Sequence, residues 1–529
     1  MRRAAALAPE RRRDPRLTRR LGTHILGRSP RKSILFWVCT PKRGWFCGFG
    51  QYARAVNDGE IKERLRDRNP WWRDAHDWSR RDDVLREASE APFEYDADVL
   101  GGVQVPSLYV IVGPRRVGKS VALRRKIREL IDSGTAPARS VVYCSCDGFR
   151  PQDLRRLFKA GRALTPGEED EPRWWFIDEI TAVGPGWSDV IKDLRDNTAL
   201  RRDCVVLTGS SARGFREAIN NLAGRRGPDS ARSDRLLLPM GFRRFCALTG
   251  VAVPDDIPGV PIERLFTREA RDAFAELSYW TEPLVDAWEN YLRVGGYPRA
   301  VADYIDGADV GSGFVRDLWD VVRGDAIRDA RLADSTILSL LARLGQSLTT
   351  PVNASDVARD VGLADNHATN ARIDDLAVNF LVWRCPPSVG GTPSAAGRRK
   401  LYFSDPLLAR LASAVDDQRD APDPSKISEQ QVGLAIVRSI EADHPGAFVL
   451  ESRVMYQRTA TKKEIDFTGP DLDGCVEGKY VDQSWKREAQ TARANFAHAI
   501  LATRRAHDLD DGAIWATPAP AVAWLLDRA

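Results

Sequence analysis

Residues 113–120 read Gly113-Pro114-Arg115-Arg116-Val117-Gly118-Lys119-Ser120, and what flanks them decides the fold. Ahead stands the β-branched run Leu108-Tyr-Val-Ile-Val112, and behind it an Arg-rich stretch of helical pattern from Ser120 to Ile131. Strand, glycine-containing loop and helix in this order make a phosphate cradle. Gly113 and Gly118 let backbone N–H groups turn inward around a β-phosphate, with Pro114, Arg115, Arg116 and Val117 completing the loop. Lys119 neutralises β- and γ-oxygens, the Ser120 hydroxyl is offered to Mg2+, and the helix N-terminus adds its dipole.

Working outward, apolar runs recur at Ser140-Val-Val-Tyr-Cys-Ser-Cys146, Trp174-Trp-Phe-Ile177 and Asp203-Cys-Val-Val-Leu-Thr208, each separated from the next by a helix-like segment. Buried strands alternating with helices predict an α/β fold, a parallel sheet covered on both faces, whose ligand edge is the C-terminal end of the strands. Asp178 and Glu179 emerge at that edge about sixty residues after the loop. The expected roles are Asp178 on Mg2+ and Glu179 polarising the attacking water. Thr208-Gly209-Ser210-Ser211 ends the next strand, either sensing a γ-phosphate or forming a plain polar turn. Downstream, Arg225 and Arg226 offer guanidinium groups to a transferred phosphoryl, in cis or across a subunit boundary.

Composition sets the outer limits. The chain has 529 residues, 43% hydrophobic and 29% charged, enough for several packed domains. Its net charge is +5, but residues 1–50 hold thirteen Arg/Lys against Glu10 and Asp14, a local +11 that leaves the remainder at −6. A basic nucleic-acid surface therefore cannot be argued from the total. The basic head reads as a polyanion-touching arm or as a disordered extension from a start placed too far upstream. Eight cysteines without a Cys-x-x-Cys pair give neither a disulfide framework nor a zinc site, and Cys144 and Cys146 read as core thiols. With no run of about 18 apolar residues, no membrane span is expected, and the expected location is a reducing cytoplasm.

The ordered landmarks resemble the AAA+-type P-loop ATPases of the AAA_14/DUF4143 family. They are the loop at 113–120, Trp175-Phe-Ile-Asp-Glu-Ile180, Gly186-Trp187 followed by Ile191-Lys-Asp-Leu-Arg-Asp196, Thr208-Gly-Ser-Ser-Ala212, Leu222-Ala-Gly-Arg-Arg-Gly227 and Leu237-Leu-Pro-Met-Gly-Phe-Arg-Arg-Phe245. Later come Val294-Gly-Gly-Tyr-Pro298 and Leu401-Tyr-Phe-Ser-Asp-Pro-Leu-Leu408. The resemblance covers about 90–480. It implies ATP binding with Mg2+, a helical lid, a winged-helix-like module and a C-terminal restriction-endonuclease-like domain. The expected organisation is a basic extension at 1–50, a helical lead-in at 51–92, the P-loop ATPase domain at 93–250, a lid at 251–335, a winged-helix-like module at 336–385, a linker or hairpin at 386–426 and a PD-(D/E)xK-like domain at 427–529.

Two further constellations carry chemistry. A helix-turn-helix pattern runs from Ser355 to Phe380, but its second helix carries Asp374 and Asp375 beside Arg372, which argues against strong DNA binding and leaves a structural or protein-interaction role beside direct DNA contact. Strand-like pieces are expected around Phe448, Glu464 and Val476. If Glu464-Ile-Asp466 and Glu477-Gly-Lys479 are neighbouring strands, Asp466, Glu477 and Lys479 share one face. That grouping resembles the PD-(D/E)xK nuclease core, with Glu429 as a further ligand on the family's habit, although such a fold can persist without its chemistry. Gly478 casts doubt on strand regularity. The function expected is an Mg2+-dependent ATPase acting as a switch, with DNA, a protein partner or further copies of the chain as candidate associates. A nucleotide-gated nuclease and a non-hydrolysing ATP-binding scaffold are the alternatives.

Overall fold

The phosphate-loop strand is built from residues with no polar face, and the sheet around it shows why. The computed structural model describes residues 56–528 apart from 166, 168–170, 229–231, 255, 309–310, 328–331 and 451–452; the basic head at 1–50 lies outside them. Strands β1 (Ser107–Val112), β2 (Val141–Ser145), β3 (Trp174–Asp178), β4 (Cys204–Gly209) and β5 (Asp234–Leu236) form one parallel sheet in the order β2-β3-β4-β1-β5. Every residue of β1, β3 and β4 is buried, so their sequences run apolar without alternation. Because β4 lies between β1 and β3, with Val112 opposite Gly209 and Ile177 opposite Leu207, the loop, the acidic pair and Thr208 leave the same sheet edge.

The lead-in seals the open side of β2. Helices Asp58–Arg68, Trp78–Arg81 and Asp83–Ser89 flank the turn at Pro70–Trp72. The Asn69 side chain imitates a neighbouring strand: its amide donates to Tyr143 O at 2.9 Å and its oxygen accepts from Tyr143 N at 2.6 Å. The indole N–H groups of Trp71 and Trp72 both donate to Val141 O, at 3.0 and 2.8 Å. An edge that would otherwise template further pairing is thereby covered.

After the sheet come helices Arg268–Leu277, Thr281–Val294, Pro298–Ile305 and Ser312–Asp320, then the helix-turn-helix pair Ala354–Val361 and Asn366–Val378. Strands β6 (Val382–Cys385), β7 (Ser388–Val389), β8 (Thr392–Pro393) and β9 (Lys400–Phe403) follow. The antiparallel pairs β6–β9 and β7–β8 make a wing, so residues 386–400 form a hairpin rather than a linker.

Three sequence landmarks meet at one point. Met240 N donates to Gly296 O at 2.8 Å, and Gly296 N donates to Asp405 Oδ2 at 2.7 Å. A Cβ on Gly296 would stand 2.1 Å from Met240 O, and one on Gly295, at φ +81°, 2.2 Å from Asp405 Oδ1. Asp405 also caps helix Pro406–Val415 through Leu407 N at 2.8 Å. Burial raises its carboxyl to about 7 despite these amide donors.

The C-terminal part packs helix Pro424–Asp443 against a mixed sheet of β10 (Met455–Arg458), β11 (Glu464–Thr468), β12 (Cys475–Lys479), β13 (Ala499–Thr503) and β14 (Ile514–Pro518), with the buried helix Ala519–Leu526 closing the core. Pairing is antiparallel from β10 to β12 and parallel from β12 to β14. The strand expected around Phe448 is instead the helical turn Ala447–Leu450. The Glu441 carboxylate accepts from Gly446 N at 2.5 Å and Phe448 N at 3.0 Å, which satisfies first-turn donors and starts a helix there.

Gly296→Ala is expected to cost about 1–3 kcal/mol of unfolding free energy, the range for overpacking against close neighbours, as read in urea titrations. Burial raises the Glu441 carboxyl to about 7 from its usual 4.5. The folded state thus holds a proton that the unfolded chain releases, so this residue's contribution to stability is complete below about pH 4.5 and declines as pH rises to 7. In Glu441→Gln the fall of stability across that window should flatten by up to about 1.4 kcal/mol per pH unit.

Candidate functional site

The loop between β1 and helix Lys119–Asp132 is shaped by close approach and by left-handed backbone. A Cβ on Gly113 would stand 1.9 Å from Leu237 O, and Gly118, with φ +99°, precedes the first helical residue. Lys119 is buried, and its ammonium donates to Gly113 O at 2.9 Å and Pro114 O at 2.8 Å. Burial lowers its pKa to about 8, against the opposing pull of Glu179 and Asp178. Arg116 reaches out of the loop to Asp317 of helix Ser312–Asp320, 3.4 Å away.

The acidic pair diverges. Asp178 accepts from three hydroxyls: Ser120 at 2.7 Å, Tyr143 at 3.0 Å, and Thr208. Glu179 turns away at φ +53°, its N–H donating to Asp178 Oδ1 at 3.1 Å and to Thr208 Oγ1 at 3.3 Å. Its carboxylate accepts from Ser210 at 2.8 Å. Ser120, Asp178, Glu179 and Thr208 are therefore brought together beside the loop.

Tyr143 was not read from the sequence. Burial first, and then the Asp178 charge, raises its phenol far above the ordinary value, so it stays a donor. The Arg124 guanidinium lies 3.7 Å from the Tyr143 ring centre and 3.4 Å from buried Asp82, linking the lead-in to the acidic strand. The available signal was a lone hydroxyl-bearing aromatic in the strand beside the acidic one.

Arg225 and Arg226 are not brought to the loop of their own chain. Arg226 O accepts from Leu108 N at 2.9 Å, at the start of β1, whereas the phosphate loop leaves its end. The Arg226 guanidinium is buried against Asp234, and Arg225 forms a two-pronged pair with Asp196 at 2.7 and 2.8 Å. The cis form of the expectation is corrected by strand direction.

Far from the loop in sequence, Asp466 on β11 and Glu477 and Lys479 on β12 do come together, with Glu429 above them. Lys479 lies 3.0 Å from Glu477 Oε2 and 3.8 Å from Asp466 Oδ2, and Gly478 N donates to Asp466 at 3.1 Å. Gly478 is regularly paired with Ala502, and a Cβ there would stand 2.9 Å from Glu429 Cγ, so its role is to admit the glutamate rather than to break the strand. Burial and the neighbouring Asp466 charge raise Glu429 and Glu477. Burial would also raise Asp466, but Lys400 and then Lys479 hold it below the usual range. Lys400, from β9, was not foreseen: its ammonium is 2.8 Å from Asp466 Oδ1 and 3.4 Å from Glu429 Oε1.

Residues 106–246 match the AAA_14 family model, an AAA domain. This segment has a P-loop ATPase fold. Residues 285–419 match a domain of unknown function, DUF8612, and the landmarks at 294–298 and 401–408, read above as DUF4143-like, fall within that match. Among solved structures, the Aeropyrum pernix Orc1 protein in complex with DNA aligns with 64% of this chain and 92% of its own at 15% identity and TM-score 0.27. A point variant of Thermotoga maritima RuvB aligns with 64% of this chain and 94% of its own at 15% identity and TM-score 0.21. No curated protein matches the sequence. Among the described residues no helix is long and apolar enough to cross a membrane.

Tyr143→Phe removes one of the three hydroxyl donors to Asp178 without emptying the core. The ATPase domain of this variant is expected to bind Mg·ATP about fivefold more weakly, a loss on the order of 1 kcal/mol, while binding of ATP in EDTA stays unchanged; calorimetry under both conditions checks this.

Proposed function

We propose that the chain is an Mg2+-dependent ATPase that works as a molecular switch, its nucleotide state read out by the helix-turn-helix and C-terminal parts. The donor set suits the group. Backbone N–H groups of the loop from Arg115 to Ser120 would bind the phosphates, and Lys119 would exchange its two loop carbonyls for β- and γ-oxygens. Ser120 and Asp178, already 2.7 Å apart, would hold Mg2+. The metal supplies charge neutralisation at the phosphate oxygens. Glu179, steadied by Ser210, orients the attacking water and receives its proton.

The observation that carries the switch is the continuity of residues 210–213. Ser210 donates to Glu179, while the next residues grip the end of helix Asn366–Val378: Ala212 N donates to Val378 O at 2.6 Å and Ser211 Oγ to the same oxygen at 3.4 Å. Arg213 adds an ion pair with Asp375 at 3.8 Å. A shift of Glu179 on hydrolysis thus pulls on the helix-turn-helix, whose acidic second helix suits a protein partner better than bare DNA. In this reading the protein acts in the cytoplasm, and Arg225, which faces away from its own loop, serves a neighbouring copy in a homo-oligomer. A nucleotide-gated nuclease is the second reading, favoured by the convergence of Asp466, Glu477, Lys479 and Glu429 in a PD-(D/E)xK-like, DUF4143-type arrangement.

Phosphate release by the purified chain, with and without DNA, tests the proposal. Lys119→Ala should lose the binding heat of Mg·ATP. Glu179→Gln should retain that heat and release phosphate about a hundredfold more slowly, the low end of what a positioned general base contributes. Wild-type release no faster than that of Glu179→Gln would mark a non-hydrolysing scaffold.

A further inference from the structure

Lys400 belongs to the wing, yet its side chain ends among the carboxylates of the C-terminal sheet. It is 1% exposed, and its ammonium lies 2.8 Å from Asp466, 3.4 Å from Glu429 and 3.8 Å from Glu464. A divalent ion in the nuclease reading would need oxygens of Asp466, Glu477 or Glu429 at about 2.0–2.5 Å, all turned toward one point. The oxygens of Asp466 and one oxygen of Glu429 are committed elsewhere. Asp466 Oδ1 accepts from Lys400, and Oδ2 accepts from Gly478 N. Glu429 Oε1 accepts from Tyr402 at 2.7 Å as well as facing Lys400. Neither oxygen of Glu477, itself 1% exposed, takes a well-aligned hydrogen bond, and Lys479 supplies its counter-charge. A metal and an ammonium cannot share this space, since like charges about 4 Å apart in a buried setting repel by several kcal/mol.

The strand that carries the lysine is itself held in place. Phe403 N donates to Gln430 Oε1 at 2.9 Å, and Ser404 Oγ donates to Phe380 O at 2.5 Å. Asp405, one residue further, is clamped to Gly296. Displacing this strand would break its contacts with Gln430, Phe380 and Gly296.

We infer that Lys400 is a permanent internal cation in the place a catalytic divalent ion would take, so that the C-terminal sheet is a metal-free mount for the wing and cleaves no nucleic acid. The inference stands whether or not ATP is hydrolysed. Its test uses the full chain with Lys119 intact, both without nucleotide and with ATP, so that a nucleotide-gated site would show itself, and only ion binding that depends on Asp466 is counted.

Mn2+ titration followed by electron paramagnetic resonance should show no bound ion that depends on Asp466, and supercoiled DNA should stay intact in Mg2+ or Mn2+. Adding Lys400→Met, which keeps the length and removes the charge, should create one Mn2+ site per chain that Asp466→Asn abolishes. Should Lys400→Met not fold, Lys400→Gln, which keeps a donor to Asp466, takes its place in the same titration. Asp466-dependent Mn2+ binding or nicking by the chain that retains Lys400 overturns the inference, as does a folded Lys400 variant that gains no ion.

Discussion

The Asp405 carboxylate, accepting the Gly296 amide at 2.7 Å, is the contact on which the arrangement of the parts depends. Around it meet the segment leaving the parallel sheet (Pro239–Met240), the helix Thr281–Val294 with the glycine turn after it (Tyr291 and Gly296), the wing and the helix Pro424–Asp443. Tyr291 Oη donates to Met240 O at 2.9 Å, and Arg438 donates to Pro239 O at 2.9 Å. The charge of Arg438 pulls the Asp405 carboxyl down, only partly offsetting the burial that raises it to about 7. Glycine is required twice because two backbones and a carboxylate meet with no room for a Cβ. A junction of this kind transmits displacement, since a close-packed contact has no slack to absorb it.

The nucleotide edge is organised by shared protons rather than by opposed charges. Ser120, Tyr143 and Thr208 all donate to Asp178, so three hydroxyls orient the carboxylate, and the Lys119 ammonium rests on the carbonyls of its own loop. Preorganised dipoles lower the reorganisation needed at the moment of reaction. Glu179 sits outside that shell, its carboxylate accepting from Ser210. The division follows from backbone geometry: a left-handed residue directly after a strand turns two adjacent side chains apart.

Four strands of the parallel sheet were legible to within a residue or two because strands buried on both faces are written as unbroken apolar runs, and topology then places Asp178, Glu179 and Thr208 at one edge; β5, three half-buried residues at the sheet margin, carries no such run and was not read. Tyr143 was not legible, since nothing local joins it to an acid 35 residues away. Arg225 and Arg226 misled because a spacing along the chain carries no direction: only the contact of Arg226 with the start of β1 reveals that they lie away from the strand end they were expected to serve. The strand expected at Phe448 failed for a long-range reason too, a glutamate from the preceding helix bonding the amides of a short turn.

Lys400 is the sharpest case of chemistry that periodicity cannot show. Asp466, Glu477 and Lys479 declare themselves through alternation on adjacent strands, and alone they read as a metal site. The lysine that changes the reading comes from 66 residues before Asp466, in a strand of a different sheet. Its position is imposed by the packing of the wing rather than by any feature of the acidic strands. Removing such an ammonium would leave the clustered carboxylates with Lys479 as their remaining close counter-charge in a low-dielectric interior, a cost of several kcal/mol that protonation or a captured cation must relieve. An acidic constellation that resembles an active site is therefore weighed by its nearest cation, and here that cation is carried by a covalently attached strand whose neighbours on both sides are fixed.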